Sequence, residues 1–321
     1  MRHCGNIIRK HINDWSTRLG NLNWWPKYVY HFTDIHNAVS ILESGYLYSR
    51  NLARANNLMQ ADNASNDVIQ HTNPEHLNFV RLYFRPKTPT QYRNEGIRPL
   101  DGRDLGAHCG VPIFLCFDSY ETLNLDESEV SNGNMGSHRA NHSSQPEFFS
   151  QIPFHLVYHS GAIPDGDKDE IVFRRNAEIL IPDKLAITNL LRLICCRSAA
   201  ERQTLLTMLS DATREKWFEK IRIGDYSLYF RKWTFVEEVV TVEDRIIFRF
   251  NPNSTTPGPF NIKFSYTEDG EERIRSWNGK RESLVNNLGL VVPNATVGIA
   301  SLKLDDTIAY LGRVYFTEIP F

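Results

Sequence analysis

The chain has 321 residues, of which 41% are apolar, 12% aromatic and 23% charged. That composition allows a sizeable core and excludes collagen-like, low-complexity and disordered classes. A formal net charge of −2 excludes a globally basic nucleic-acid binder, and no apolar run approaches membrane-spanning length.

The charge is also even along the chain. From Tyr226 onward there are 11 Lys/Arg and 12 Asp/Glu, against 25 and 26 before it. A nucleic-acid site must therefore be a local patch. The five cysteines, Cys4, Cys109, Cys116, Cys195 and Cys196, are odd in number and lack zinc-like spacing. They imply reduced thiols, a cytoplasmic protein and no metal site. The polar start MRHCGNIIRKHINDW is unlike a signal peptide.

Residues 5–20 bring Ile8, Ile12, Trp15 and Leu19 to one side, which predicts a short amphipathic helix. NLNWWPKY then turns the chain, with Trp24 and Trp25 read as packing on the first strand. Tyr28–Thr33 alternates with period two, as a strand does. Asp34 or Thr33 caps the helix that follows, and Gly45 stops it. Residues 51–76, rich in Asn, Asp and His, predict a long ordered loop, a kind of segment that tends to carry function. FVRLYF (79–84) and VPIFLCF (111–117) predict two more strands. Residues 126–147 are polar and turn-rich, and predict a mobile surface loop. Gly133 and Gly136 make no dinucleotide fingerprint, and no Walker pattern occurs.

The stretch DEIVFRRNAEILIP (169–182) carries the chemistry. A polar, basic run leads into Ala177-Glu178 and then into Ile179-Leu180-Ile181, closed by Pro182. This predicts a short buried strand with one carboxylate at its mouth. Such a carboxylate is costly unless it is paired or useful. Residue types leave two readings open: a structural acid held by Arg174 or Arg175, or a perturbed acid with a chemical task.

After Pro182, residues 198–221 predict a helix with Ser198 as N-cap, Glu201 at the third position and an apolar face including Leu205, Leu209 and Trp217. From Tyr226, short strands such as SLYFRKWTF (227–235), EDRIIFRF, FNIKFSY and ATVGIASLKL alternate with turns. They predict a small antiparallel sheet or sandwich. The expected domains are therefore 1–225 and 226–321.

Three blocks together resemble the DarT family of ADP-ribosyltransferases that modify nucleic-acid bases. They are YHFTDIHNAVSILESGYL (30–47), FVRLYFRPKTPTQY (79–92) and RRNAEILIP (174–182). The resemblance covers about residues 25–195. It implies an α+β ADP-ribosyltransferase fold with a split antiparallel β core, in which NAD is consumed as a substrate. The missing dinucleotide fingerprint agrees with that. Family members are typically toxins restrained by an antitoxin with a macrodomain. A related branch, resembling CmdT of phage defence, modifies mRNA instead of single-stranded DNA.

The resemblance makes Glu178 the catalytic carboxylate, holding the ribose 2′-OH as positive charge builds on the sugar. It places His31, Thr33, Asn37 and Tyr83 at the NAD. Each also has a structural reading: His31 as a satisfied edge histidine, Thr33 and Asn37 as helix caps, and Tyr83 as core. The family's functional loop arginine has no counterpart in residues 66–76. His71 is the candidate general base there, with Arg54, Arg81 and Arg85 as groups reaching in from elsewhere. Arg81, Arg85, Lys87 and Arg93 form a local basic set that suits a phosphate backbone, beside Tyr92 as a stacking group; a solvated strand edge explains the same charges.

The expected function is base ADP-ribosylation of single-stranded DNA, with mRNA as the alternative. Transfer to protein and a catalytically dead binding module are further alternatives. The expected partners are a nucleic acid strand, an antitoxin and a chaperone, with no membrane.

Overall fold

The computed structural model describes residues 5–58, 73–103, 108–252, 254, 258–284 and 287–316. The chain forms two compact units. The first comprises Met1–Arg93 and Phe114–Ile194, the second Asn94–Ile113 and Cys195–Phe321. The border expected near residue 225 thus falls inside the second unit, which also takes in segment 94–113. Buried charge explains this grouping. Arg197 is fully buried, pairs with Glu201, donates Nη2 to the Gly110 carbonyl at 3.0 Å and lies 3.5 Å from Glu95. The Glu95 carboxylate also accepts from the backbone N–H groups of Phe230 and Arg231 at 3.0 and 2.8 Å. Segment 94–113 is bound into the second unit by contacts that link residues about 100 apart.

The strands of the first unit are β1 (Tyr28–Asp34), β2 (Tyr46–Tyr48), β3 (Phe79–Tyr83), β4 (Pro112–Asp118), β5 (Glu129–Ser131), β6 (His142–Ser143), β7 (Glu178–Pro182), β8 (Lys184–Ala186) and β9 (Leu191–Cys196). Among these strands the sheet order is β9-β4-β1-β3-β7-β5-β6, and β2 pairs with β8. β1 registers with β3 at Tyr30↔Tyr83, and β3 with β7 from Phe79↔Pro182 to Tyr83↔Glu178. With helices beside antiparallel strands, the fold class is α+β, as expected.

The helix Ile35–Ser44 forms where its signals predict. Asp34 is its N-cap, accepting from the His36 N–H at 3.0 Å, and Gly45 ends it with φ +73°. Ala38, Ile41 and Leu42 face the core. The first helix, Gly5–Arg18, buries Ile8 and His11 instead of the whole predicted stripe. His11 sits among aromatic rings, 4.1 Å from Phe154 and 5.1 Å from Phe149, with Nε2 3.2 Å from the Tyr158 hydroxyl.

The expected mobile loop at 126–147 holds two strands, β5 and β6. They form because β7 offers its free edge: Glu129 registers with Leu180 and Val130 with Ile179. Backbone pairing, not side-chain pattern, orders them. Gly133 follows β5 where a Cβ would lie 2.3 Å from the Phe173 ring, a contact that only glycine avoids.

The second unit contains β10 (Ile221–Ile223), β11 (Val236–Val242), β12 (Arg245–Phe250), β13 (Phe260–Glu268), β14 (Ile274–Arg281), β15 (Leu288–Val291), β16 (Val297–Leu304) and β17 (Thr307–Tyr315). The expected antiparallel sheets are present as β11-β12-β15 and β14-β13-β16-β17. Their shared core places Phe248 6.1 Å from Phe264 and 5.7 Å from Tyr310. The helix predicted over 198–221 is divided into Ala199–Met208 and Asp211–Trp217, because Ser210 starts a second N-cap. Residues 227–235 do not form a strand: Asp225 caps the short 3-10 turn Tyr226–Leu228.

Candidate active site

Glu178 opens β7, and its carboxylate is 1% exposed. The β3–β7 register puts Tyr83 opposite Glu178 and Arg81 opposite Leu180, so all four side chains share one face of the sheet. Arg81 turns along that face and grips the acid with both arms. Its Nε donates to Oε2 at 2.8 Å and its Nη2 to Oε1 at 2.7 Å. Burial pushes the Glu178 carboxyl above its ordinary value, against the charge and hydrogen bonds of Arg81 and a hydrogen bond from Tyr83. The Tyr83 phenol is itself pushed up to about 12 by burial and by the Glu178 charge, so it is a donor at neutral pH.

The backbone of the acid is fixed as well. The Glu178 N–H donates to Ser131 Oγ at 2.9 Å, and that hydroxyl donates to the Gly133 carbonyl at 2.8 Å. The two arginines expected to hold Glu178 are engaged elsewhere. Arg174 pairs with Glu170 at 2.6 Å, and Arg175 reaches His159 Nδ1 at 2.7 Å. The partner of the acid is Arg81, on the neighbouring strand.

His31 lies on β1, the strand beside β3. Its Nδ1 donates to the Arg81 carbonyl at 3.2 Å, and burial lowers its pKa to about 4. A neutral ring protonated at Nδ1 keeps Nε2 as an acceptor. Arg81, Tyr83 and Glu178 therefore meet on one face of β3 and β7, and His31 on β1 joins them through the backbone of Arg81. Thr33 is buried at the end of β1, and Asn37 lies in the first turn of the following helix. Asp34, not either of them, provides the cap.

The basic set divides. Arg81 is committed to Glu178. Arg85 is 2% exposed; it donates to the carbonyls of Pro86, Val157 and His159 and stacks 4.8 Å over Trp25. Burial and neighbouring Arg175 lower its pKa to about 9, and it remains charged at neutral pH. A guanidinium so enclosed does not track a phosphate backbone, which corrects the reading of Arg85. Lys87 is half-buried, whereas Arg93 and Tyr92 are exposed. His71 lies outside the described residues.

One further pair occupies the same sheet face. His142 donates Nδ1 to Glu129 Oε2 at 2.5 Å, with both side chains about 30% exposed. Neither residue stands out in the sequence, because β5 and β6 carry no strand pattern. Among the described residues no three His, Cys, Asp or Glu side chains group as a metal site.

A family model described as ssDNA thymidine ADP-ribosyltransferase, DarT, matches residues 30–230, more than half of the chain. The chain belongs to the DarT family. It is an ADP-ribosyltransferase. Two solved DarT structures share its fold at a TM-score of 0.50. Thermus sp. 2.9 DarT in complex with ADP-ribosylated ssDNA is 17% identical over 64% of this chain and 97% of its own. Thermosipho africanus DarTG in complex with ADP-ribose is 16% identical over 67% of this chain and 53% of its own. Thermus sp. 2.9 DarT in complex with NAD+ matches at a TM-score of 0.48, with 17% identity over 64% of this chain and 98% of that one. No curated protein sequence matches significantly.

Proposed function

We propose that this enzyme transfers ADP-ribose from NAD to a base of single-stranded DNA, thymine by the family's description. The observation that carries the reading is the buried Glu178 carboxylate, held by the Arg81 fork beside Tyr83, with His31 bonded to the Arg81 carbonyl. Each carboxylate oxygen has two lone pairs; Arg81 takes one from each and the Tyr83 hydroxyl takes a third. The last remains to accept from a ribose hydroxyl.

The nicotinamide–ribose bond breaks with its electron pair leaving on nicotinamide, and positive charge develops at the ribose C1′. A carboxylate fixed beside the sugar stabilises that charge. The base nitrogen then bonds to C1′ and releases its proton to solvent water. His31 Nε2 suits a second ribose hydroxyl, and Tyr83 suits the nicotinamide side. Thr33 and Asn37, on the β1–helix connection, are assigned to the NAD. Lys87 and Arg93, with Tyr92, remain as the strand-facing set. The target nitrogen is hidden in a duplex, so a single strand or an extruded base is required.

An adduct on a template base blocks copying, so the activity is toxic in its own cytoplasm and calls for a restraining antitoxin. The test is transfer of label from ADP-ribose-labelled NAD to matched single-stranded DNA, RNA and protein pools. Label on thymine-containing DNA, lost in Glu178→Gln, is expected. Label confined to RNA or to protein overturns the assignment.

A further inference from the structure

The second unit presents two aromatic rings to solvent, Phe218 with 46% and Tyr226 with 71% of its surface exposed. Each ring rests on a guanidinium. The Cζ of Arg202 lies 5.3 Å from the Phe218 ring centroid, and that of Arg231 lies 4.2 Å from the Tyr226 ring. Both guanidinium groups are anchored. Arg202 Nε donates to the Ile221 carbonyl at 2.9 Å. Arg231 donates Nη1 to the Arg197 carbonyl and Nη2 to Glu237, each at 2.7 Å. A ring backed by a fixed cation and still open to solvent is a stiff platform, with little entropy to lose when a second planar group stacks on it.

Along the chain, β10 lies between the two platforms. Phe218, Ile221, Arg222, Ile223 and Arg202, together with Glu219, line an open cleft of about 370 Å³. Arg222 is exposed, its Nε on the Glu219 carbonyl at 3.1 Å. Residues 214–232 carry six Lys/Arg against three Asp/Glu, in a chain whose net charge is −2. Aromatic faces set among cations match bases set among phosphates. A protein-binding patch would instead deplete lysine at its centre.

We infer that Phe218, Tyr226 and Arg222 form a binding surface for a single-stranded polynucleotide on the second unit, additional to the NAD and target-base site. The rings stack bases and the surrounding cations meet phosphates, without reading sequence. The strand-acting reading of the enzyme gives this surface its purpose, but binding is measured apart from the reaction.

The experiment is fluorescence anisotropy of labelled oligothymidylate and oligouridylate with the full chain, in the absence of NAD. Each base–aromatic stack is worth roughly 1–3 kcal/mol. The double variant Phe218→Ala/Tyr226→Ala is therefore expected to weaken binding at least tenfold. Phe218→Trp/Tyr226→Trp is expected to retain it, and Arg222→Glu to flatten the salt dependence. Thermal melting of each variant reports folding, and both rings are exposed enough to be replaced without opening the core. Loss on both oligomers supports a strand-general surface; loss on one supports the surface and names the sugar it prefers. Binding by the folded alanine variant within twofold of the parent overturns the inference. So does a parent protein that binds neither oligomer. Retained strand binding through this surface with no label transfer to any nucleic acid would refute only the proposed reaction.

Discussion

Arg81 reaches Glu178 along the strand pair: the arginine sits opposite Leu180, and its fork closes on the carboxylate of the residue facing Tyr83. The geometry joins two opposing demands. Burial favours the protonated acid, while the reaction needs the carboxylate. Arg81 is the group that holds the balance toward ionisation.

Removing that cation moves the balance. Arg81→Met lets burial act unopposed by the fork, so the Glu178 pKa rises further. The acidic limb of the pH–rate profile is expected to shift to higher pH, with a rate at neutral pH lower by about tenfold or more, since hydrogen bonds to charged groups contribute ~1.5–3 kcal/mol. Arg81→Lys is expected to recover little, because a lysine cannot supply two parallel donors. A profile that does not move would show that Arg81 has no hold on the ionisation of Glu178.

Glu178→Gln keeps the shape and removes the charge. Label transfer is expected to fall by roughly 10²-fold or more, the scale seen when one group stabilising transition-state charge is deleted. Calorimetry should show the variant still melting cooperatively. Near-parental transfer by this variant would remove Glu178 from the chemistry.

His11 links acid to stability. Burial lowers its pKa from 6.5 to about 3, with only Asp14 opposing the shift. The unfolded chain takes up the proton near pH 6.5 and the folded chain does not. The stabilising contribution is present above pH 6.5 and is lost as pH falls toward 3, at ~1.4 kcal/mol per pH unit. Urea midpoints at pH 7, 6 and 5 should fall accordingly, and His11→Phe should flatten that fall. An unchanged slope in the variant would place the acid sensitivity elsewhere.

Gly133→Ala tests the support of the acid. A methyl group 2.3 Å from the Phe173 ring forces a shift in β5 or in the ring. Overpacking of this kind costs about 1–3 kcal/mol. Chemical denaturation should show that loss, and Phe173→Leu should restore part of it. Full stability in the alanine variant would mean that the loop relaxes freely.

The sequence was most legible where local pattern and structure coincide. The alternation of β3, the Asp34 cap, the Gly45 stop and the apolar run after Glu178 are all local signals, and each formed as expected. The partner of Glu178 was hidden because choosing among Arg81, Arg174 and Arg175 requires the register between strands. Arg85 and Arg81 look alike in a basic run, yet one is enclosed by carbonyls and the other grips an acid. His11 was missed for a related reason: a histidine on a helix stripe gives no sign that four aromatic rings will surround it. Segment 94–113 joins the second unit through Glu95 and Arg197, a pairing with no local trace.

The relay from the Glu178 N–H through the Ser131 hydroxyl to the Gly133 carbonyl has an evolutionary consequence. It ends the anchoring of the acid at residue 133, before the turn that leads to β6. Changes in length or charge between Asn134 and Asn141 can therefore accumulate without re-aiming the carboxylate. Selection is free to vary that turn while the bond-breaking apparatus stays as it is.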